Sequence, residues 1–307
     1  MSREKPSFTG EPKKADASRD PDLCVVTCAL SGVLANRKQC PWVPYTPAEI
    51  AAEALRAYEA GASVVHIHAR TDEGGPTFEP ATYAAIRRET EKLCPAILNF
   101  STGGAGSIES RVAHIAQVKP AIGALNMGSM NYAKYSPRRK EFVFDFVFEN
   151  PFRDISHLLE VMRAANVKPE LECFDVGHTN SVGPLLDQGL LKEPLQFSFI
   201  MGVLGGIRAT AENLALQARE AQQSRGSTWE VIGISHEQWR MVGAALSLGG
   251  NVRVGLEDNF YLDSEGRQMA ASNGDLVAKA ARMARDMGRE PATVAEARAL
   301  LSLDAVW

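Results

Sequence analysis

Eight short apolar runs, each followed by a segment with helical periodicity, constrain the fold of this 307-residue chain more than any other feature. The runs are rich in β-branched residues and apolar enough for burial on both faces, which is typical of parallel strands covered by helices. Strands that alternate with helices in this way are typical of a (β/α)8 barrel. The predicted strands are Leu23–Leu30, Ser63–His68, Ala96–Ser101, Ile122–Met127, Glu170–Phe174, Leu195–Met201, Glu230–Ile234 and Val252–Leu256.

A doubly wound open sheet is the rival fold. Such a sheet usually carries a glycine-rich phosphate turn after its first strand, and the sequence has neither G-x-G-x-x-G nor a Walker loop. We therefore expect an α/β fold of the (β/α)8 TIM-barrel type. The predicted helices are Pro47–Ala60, Pro80–Leu93, Ile108–Gln117, Ile155–Ala165, Val182–Gln188, Thr210–Gln223, His236–Leu248 and Asn273–Met287.

The two ends of the chain differ in character. Residues 1–21 are rich in Ser, Lys, Asp and Pro and show no apolar period, which predicts a short disordered N-terminal arm. Residues 22–307 are expected to form a single catalytic barrel domain with a C-terminal helical extension. That extension, Ala292–Leu303, is predicted to pack on the barrel or on a neighbouring subunit.

Composition excludes several functional classes. A formal net charge of −4 provides no basic surface for nucleic acid. No apolar run approaches the roughly 18 residues of a membrane span, and the polar N-terminus has no signal-peptide core. The five cysteines have no paired spacing, which is typical of reduced thiols and favours a cytoplasmic protein.

The pair His66 and His68 is the strongest chemical motif. Side chains at i and i+2 of a strand point to the same face, so both imidazoles can reach one metal ion. Two buried or surface histidines without a ligand are the alternative. Glu257, at the end of the eighth strand, is the best third ligand because a barrel brings its strand ends together over one mouth. His178 is the second choice, whereas His114 and His157 are expected to be solvent-exposed on helices.

Arg253 and Asp258 form a candidate acid–base pair near the same strand end. An arginine beside an aspartate would keep the carboxylate ionised and oriented, ready to abstract a proton. Their odd spacing places them on opposite faces of an ideal strand, so Asp258 needs the turn of the loop to enter the pocket. A structural salt bridge that closes the barrel is the alternative.

Two glycine turns follow other strands. Ser101-Thr-Gly-Gly104 offers hydroxyls and backbone N–H groups suited to a carboxylate. Gly202-Val-Leu-Gly-Gly206 allows close backbone approach, and Arg208 beyond it can meet a phosphate. A tight turn without a ligand is the alternative for each.

Taken together, these motifs resemble the β-keto acid cleavage enzymes, a family first defined as a domain of unknown function that includes 3-keto-5-aminohexanoate cleavage enzyme-like proteins. The resemblance runs in order, at family-like spacing, from about Leu23 to Leu303. The motifs that carry it are Thr27-Cys-Ala-Leu-Ser-Gly32, His66-Ile-His-Ala-Arg70, Ser101-Thr-Gly-Gly104, Pro169-Glu-Leu-Glu172, Gly202-Val-Leu-Gly-Gly206 and Gly255-Leu-Glu-Asp-Asn259.

The resemblance implies an acyltransferase that condenses a β-keto acid with acetyl-CoA to give acetoacetate and a shorter acyl-CoA, and it implies a homotetramer. By resemblance, Zn2+ or another divalent metal bound by the histidine pair and Glu257 polarises the keto oxygen. Asp258, positioned by Arg253, is then the base that generates a carbon nucleophile from acetyl-CoA. The other implied contacts are Ser101, Thr102, Gly103, Gly104, Asn126 and Glu172 for the substrate, and Gly205, Gly206 and Arg208 for acetyl-CoA.

Two departures from the family bear on the substrate. Leu34 stands where members that act on amine-bearing keto acids carry a glutamate, so we expect an uncharged or apolar substrate tail. A quaternary cation held by aromatic side chains is the alternative. Ala124 replaces a threonine that often contributes to the pocket. His236 and Glu237, after the seventh strand, are expected to shape specificity.

Three other functions compete with this hypothesis. A class II-like metal aldolase also polarises a carbonyl and cleaves a carbon–carbon bond. A metal-dependent hydrolase of the amidohydrolase type carries its His-x-His motif on the first strand and needs further histidines, so it fits less well. A non-catalytic metal-binding barrel would make Asp258 dispensable for everything except stability.

Overall fold

The computed structural model describes residues 22–305, so the arm predicted for residues 1–21 lies outside the described residues. The strands are β1 (Asp22–Cys24), β2 (Val26–Ala29), β3 (Val64–Ile67), β4 (Ile97–Ser101), β5 (Ile122–Asn126), β6 (Met130–Ser136), β7 (Glu141–Phe148), β8 (Lys168–Cys173), β9 (Gln196–Met201), β10 (Thr228–Gly233), β11 (Asn251–Val254) and β12 (Arg289–Pro291). The helices are α1 (Pro47–Ala60), α2 (Pro80–Leu93), α3 (Ile108–Val118), α4 (Phe152–Ala165), α5 (Val176–Asn180), α6 (Val182–Asp187), α7 (Ala211–Ala221), α8 (Gln238–Ser247), α9 (Asn273–Asp286) and α10 (Val294–Leu300).

Eight parallel strands close into a barrel in the order β2, β3, β4, β5, β8, β9, β10 and β11, and β11 pairs with β2. This closure confirms the (β/α)8 prediction. Every residue of β2 and β3 is buried, because outward side chains meet helices and inward ones fill the barrel. Within residues 22–305, no helix combines the length and apolarity that a membrane crossing requires.

The first helix shows why its boundaries were predictable from local sequence. The Thr46 hydroxyl caps the helix by accepting a hydrogen bond from the Glu49 backbone N–H, and the Glu49 carboxylate accepts one from the Thr46 backbone N–H. Pro47 occupies the first helical position, where its missing N–H costs nothing. Gly61 ends the helix with a φ of 116°, in the left-handed region that favours glycine.

The first predicted strand, Leu23–Leu30, is two strands in the structure. β2 enters the barrel, whereas β1 pairs with β12 outside it. The Arg289 side chain joins the two regions because its guanidinium donates to the backbone oxygens of Leu23 and Gly250. The apolar run is continuous in the sequence, so its periodicity could not reveal a change of partner.

An antiparallel hairpin, β6 and β7, was not predicted from the sequence. It follows β5 directly and therefore lies at the C-terminal mouth of the barrel. Tyr132 on β6 packs against Phe146 on β7 and Phe174 after β8, with ring centroids 5.5 and 6.1 Å apart. The opposite face leaves Phe142 and Val147 more than half exposed.

Helix α10 closes the other end of the barrel. Ala297 and Leu301 pack in one apolar cluster with the inward-facing Val64 and Ile122. The buried Lys168 ammonium donates to the Leu301 backbone oxygen at 2.6 Å. Of the two predicted positions for this helix, on the barrel or on a neighbouring subunit, the structure shows contact with the barrel.

Candidate active site

Three predicted metal ligands converge at the C-terminal mouth. The Nε2 atoms of His66 and His68 lie 3.7 and 3.4 Å from Glu257 Oε1. Glu257 follows β11, and β11 reaches β3 through β2, so closure of the barrel brings the carboxylate to the histidines. The potential ligand atoms all lie within 4.8 Å of one another.

The donor atoms fit a divalent metal ion. Both ring nitrogens of His66 and the Glu257 Oε2 atom are buried without a hydrogen-bond partner. Such atoms are rare in folded proteins because leaving them unpaired costs free energy. Two imidazoles and one carboxylate, with a further position open, also form a common catalytic zinc set.

Arg253 organises the carboxylates beside this centre. Its Nε and Nη2 atoms donate to Asp258 Oδ2 and Oδ1 at 3.0 and 3.1 Å. Nη2 also donates to Glu257 Oε1 at 2.7 Å, and Nη1 lies 3.4 Å from Glu172 Oε1. The chain leaves the strand at Gly255 (φ 148°), and this turn brings Asp258 to the face on which Arg253 lies. The predicted pair is thus formed despite its odd spacing.

Burial and the Arg253 charge set the ionisation of these groups. Burial raises the pKa of Glu257, but Arg253 and the two imidazoles outweigh it and hold that pKa well below its usual value. Burial raises the pKa of Asp258 to about 6, with Arg253 opposing the rise. Burial and the Arg253 charge lower the pKa of His66 well below its usual value. A carboxylate and an unprotonated imidazole nitrogen are the forms of these side chains that bind metal.

The turn after β4 brings together some of the predicted substrate contacts. Ser101 Oγ accepts a hydrogen bond from the Gly103 backbone N–H at 3.1 Å. A Cβ at Gly103 would lie 2.9 Å from Asn126 Nδ2, so this glycine lets the Asn126 amide approach the turn. The Thr102 hydroxyl instead donates a hydrogen bond to the Ala124 backbone oxygen at 2.7 Å. This side chain therefore links the end of β4 to β5. Gly104, with a φ of 154°, packs against a phenylalanine ring.

The remaining predicted substrate residues occupy different positions. Glu172 is buried in the mouth, where burial raises its pKa to about 7 against the opposing charge of Arg253. Leu34 is 56% exposed, in the loop whose Gly32 lies directly against Glu257. His236 is exposed and stacks on the Tyr261 ring at 5.8 Å.

The two glycines that are predicted to contact acetyl-CoA are also required by the packing of their own loop. A Cβ at Gly205 would lie 1.9 Å from the Asn131 backbone oxygen, and one at Gly206 would lie 2.7 Å from the Phe174 backbone oxygen. Gly205 therefore lets the loop after β9 pack against the β6–β7 hairpin, and Gly206 lets it pack against the chain that follows β8. Arg208 is exposed beyond this loop.

The prediction that His114 is solvent-exposed is wrong. His114 is fully buried, because α3 turns this residue toward the barrel. Its Nε2 lies 3.0 Å from the Ser101 backbone oxygen, and its ring stacks on Tyr83 with centroids 3.9 Å apart. Burial lowers the pKa of His114 to about 3. His157, on α4, is half-buried rather than exposed.

His178 lies apart from the three converging ligands. Its Nδ1 atom accepts a hydrogen bond from the Phe174 backbone N–H at 3.2 Å, and its ring lies against Gly128. These contacts fix the chain where it turns from β8 into α5. Glu257 is therefore the ligand candidate that the tertiary structure supports.

A buried network of polar side chains inside the barrel was not predicted from the sequence. Asn99 Nδ2 and Gln196 Nε2 both donate to Glu170 Oε2, at 2.7 and 2.8 Å. Glu230 accepts hydrogen bonds from Thr27 and from Ser198 on the neighbouring strand. The only sequence signal was a polar residue at alternate positions of strands that otherwise read as apolar.

A model of the β-keto acid cleavage enzyme family matches residues 24–303, nearly the whole chain. The chain belongs to this family. The matched span contains the three candidate metal ligands, the Arg253–Asp258 pair and both glycine turns.

Two named relatives are similar to this chain over almost their full length. A 3-keto-5-aminohexanoate cleavage enzyme of Fusobacterium nucleatum is 36% identical over 281 residues, which cover 91% of this chain and 97% of the relative. A 3,5-dioxohexanoate:acetyl-CoA acetone transferase of Paraburkholderia graminis is 33% identical over 297 residues, covering 91% of this chain and 95% of the relative.

A solved structure shares the fold of this family member. ObcA, in a binary complex with oxaloacetate, superposes with a TM-score of 0.68 and 20% sequence identity. The match covers 85% of this chain and 67% of the ObcA chain. At this identity the likeness supports the barrel fold alone.

Proposed function

We propose that this enzyme converts a β-keto acid and acetyl-CoA into acetoacetate and a shorter acyl-CoA. One observation carries the proposal. The possible metal ligands His66, His68 and Glu257 lie at the same barrel mouth as an aspartate that Arg253 holds by hydrogen bonds. The name of the Paraburkholderia relative, which specifies acetyl-CoA, supports the second substrate.

Atom balance indicates which proton Asp258 removes. Acetoacetate joins the acetyl group of acetyl-CoA to the CH2–carboxylate part of the keto acid, while the remaining acyl group goes to sulfur. The new bond therefore forms at the keto acid carbon that lies between its two carbonyl groups. We propose that Asp258 removes a proton from that carbon, rather than from acetyl-CoA as the family resemblance implies. Attack on the acetyl carbonyl then expels CoA thiolate. Attack of that thiolate on the original keto carbon breaks the old carbon–carbon bond and gives the acyl-CoA. The carbanion of acetoacetate released in this step takes back the proton from Asp258.

The remaining residues position the reactants. Zn2+ or another divalent ion, held by the three ligands, would polarise the keto oxygen and stabilise the negative charge that develops there. Ser101 and the N–H groups of its turn are proposed to hold the substrate carboxylate, next to Asn126. Gly205, Gly206 and Arg208 are proposed to contact acetyl-CoA, with Arg208 meeting a phosphate.

The substrate tail is proposed to be uncharged or apolar. Leu34 stands in the loop beside Glu257 and cannot neutralise an ammonium group. Ala124 is fully buried and lacks the hydroxyl that a threonine would place at this position. The name of the Paraburkholderia relative specifies 3,5-dioxohexanoate, a keto acid whose tail carries a second ketone and no charge.

We also propose a cytoplasmic homotetramer. All five cysteines are buried and free, which suits a reducing compartment. The exposed apolar face of the β6–β7 hairpin is suited to burial against another subunit. Sedimentation analysis of the wild type should give four subunits, and a monomer would contradict this part of the proposal.

The test is turnover of three keto acids with matched carbon chains and apolar, amine or carboxylate tails. Each is incubated with acetyl-CoA carrying carbon-13 in its acetyl group. We expect labelled acetoacetate, unlabelled acyl-CoA and the highest kcat/KM for the apolar tail. Cleavage without any CoA ester would instead support a metal aldolase. Label in the acyl-CoA product would contradict the proposed bond changes.

A further inference from the structure

Behind the metal ligands, two buried polar atoms on neighbouring strands lack partners. His66 on β3 and Asn99 on β4 are paired in register, and both are fully buried. Neither His66 Nδ1 nor Asn99 Oδ1 makes a hydrogen bond. Paired residues of adjacent parallel strands point to the same face, and neighbouring strands lie about 4.8 Å apart. The two unpartnered atoms therefore belong to side chains that lie side by side on the same face of the sheet.

The orientation of the Asn99 amide is fixed from its other side. Its Nδ2 donates to Glu170 Oε2, an oxygen that also accepts from Gln196. This carboxyl oxygen acts as a hydrogen-bond acceptor toward Gln196. The group of Asn99 that approaches it must therefore be the N–H donor and not the carbonyl oxygen, which is itself an acceptor. The Asn99 nitrogen must therefore face Glu170, which turns its oxygen away from Glu170.

The His66 ring can donate a hydrogen bond to the Asn99 side-chain oxygen. The Nε2 atoms of His66 and His68 both lie near the Glu257 carboxylate. In the proposed metal site, Nε2 is therefore the atom of His66 that binds the ion. A neutral imidazole carries its proton on only one nitrogen. A metal-binding histidine usually donates its other N–H to a nearby acceptor, which fixes both the tautomer and the ring orientation.

We propose that Asn99, held by Glu170, is a positioning residue of the metal centre. Its Oδ1 accepts the Nδ1–H of His66 and thereby presents the unprotonated Nε2 to the ion. This inference rests on the metal site of the proposed function, but it concerns residues that need not touch the substrate.

The chain provides a matched control in Gln196. Its amide donates to the same Glu170 oxygen and is also buried, but it lies on β9, which is not adjacent to β3 in the barrel. Substituting either amide by leucine removes one hydrogen bond to Glu170. Only the substitution at Asn99 also removes the acceptor for His66.

The experiment measures zinc binding to the metal-free protein by competition with a chromophoric chelator. We expect Asn99→Leu to weaken zinc affinity by about 10- to 100-fold, as is typical when a partner of a ligating histidine is lost. Gln196→Leu should change it by less than about threefold. Asn99→Asp, which retains an acceptor, should recover most of the affinity. Equal losses in both leucine variants would reduce Asn99 to a packing role and overturn the proposal.

A second measurement uses the wild type and does not depend on any variant folding. Nitrogen-15 NMR of the metal-free protein should find the proton of His66 on Nδ1. A proton on Nε2 would overturn the proposal. If instead the tautomer is correct but the wild type binds no zinc, the proposed function fails while the Asn99 contact stands.

Discussion

Arg253 binds Asp258 through two parallel hydrogen bonds, Nε to Oδ2 at 3.0 Å and Nη2 to Oδ1 at 3.1 Å. Both side chains are 3% exposed, so the pair is shielded from solvent. The same guanidinium contacts Glu257, a candidate metal ligand. One arginine thus links the proposed base to the proposed electrophilic centre and fixes their separation.

Replacing Asp258 with asparagine should remove the base but leave the fold and the metal site in place. We expect kcat to fall by about 10²- to 10⁴-fold, the usual contribution of a positioned base. Zinc content should stay at the wild-type level because the three ligands are intact. Asp263→Asn, in the loop that follows, is the control and should keep full turnover. Unchanged turnover in Asp258→Asn would favour a non-catalytic metal-binding barrel.

Arg253→Lys tests whether the forked geometry matters beyond its charge. Lysine retains a positive charge but cannot bind both Asp258 oxygens in parallel. We expect kcat to fall by about 10²-fold or more. Arg289→Lys is a matched control, since Arg289 is also buried but holds backbone oxygens of Leu23 and Gly250 at the opposite end of the barrel. It should lose stability without losing kcat, and similar kcat losses in both variants would point to stability alone.

Leu34→Glu should redirect the enzyme toward amine-bearing keto acids. A carboxylate in this loop can pair with an ammonium tail, and a charge-assisted hydrogen bond contributes about 1.5–3 kcal/mol. We expect kcat/KM for the amine substrate to rise by about tenfold or more and that for the apolar substrate to fall. Leu34→Gln, similar in size but uncharged, should not produce this reversal. An amine preference already present in the wild type would show that our interpretation of Leu34 is wrong.

His114 should make the protein sensitive to acid. Burial lowers its pKa from 6.5 to about 3, so between these values the unfolded chain binds a proton that the native protein does not. The free energy of unfolding should therefore fall as pH drops from about 6.5 toward 3, by up to about 1.4 kcal/mol per pH unit from this group. Urea denaturation of His114→Gln should show a shallower pH dependence than the wild type. Parallel curves would mean that His114 is protonated in the native state.

Local sequence patterns were enough to predict the alternating strands and helices and to select the candidate metal ligands. The α1 and α2 boundaries agree with prediction, because caps and 3.6-residue periodicity are properties of neighbouring residues. His66, His68 and Glu257 could be selected because each stands near a strand end. The same approach failed for His114, because a polar residue on a helix can face inward wherever a backbone oxygen is available to it.

The sequence by itself determined that the chain alternates strands with helices and that its chemistry lies at one end of the strands. Tertiary structure alone decided which polar groups meet. Glu257 reaches His66 only because β11 closes the barrel on β2, and Asn99 faces His66 only through the register of β3 and β4. The physical reason is that barrel closure and strand register depend on pairing between distant segments, whereas helix and strand formation is governed largely by residues close together in the chain.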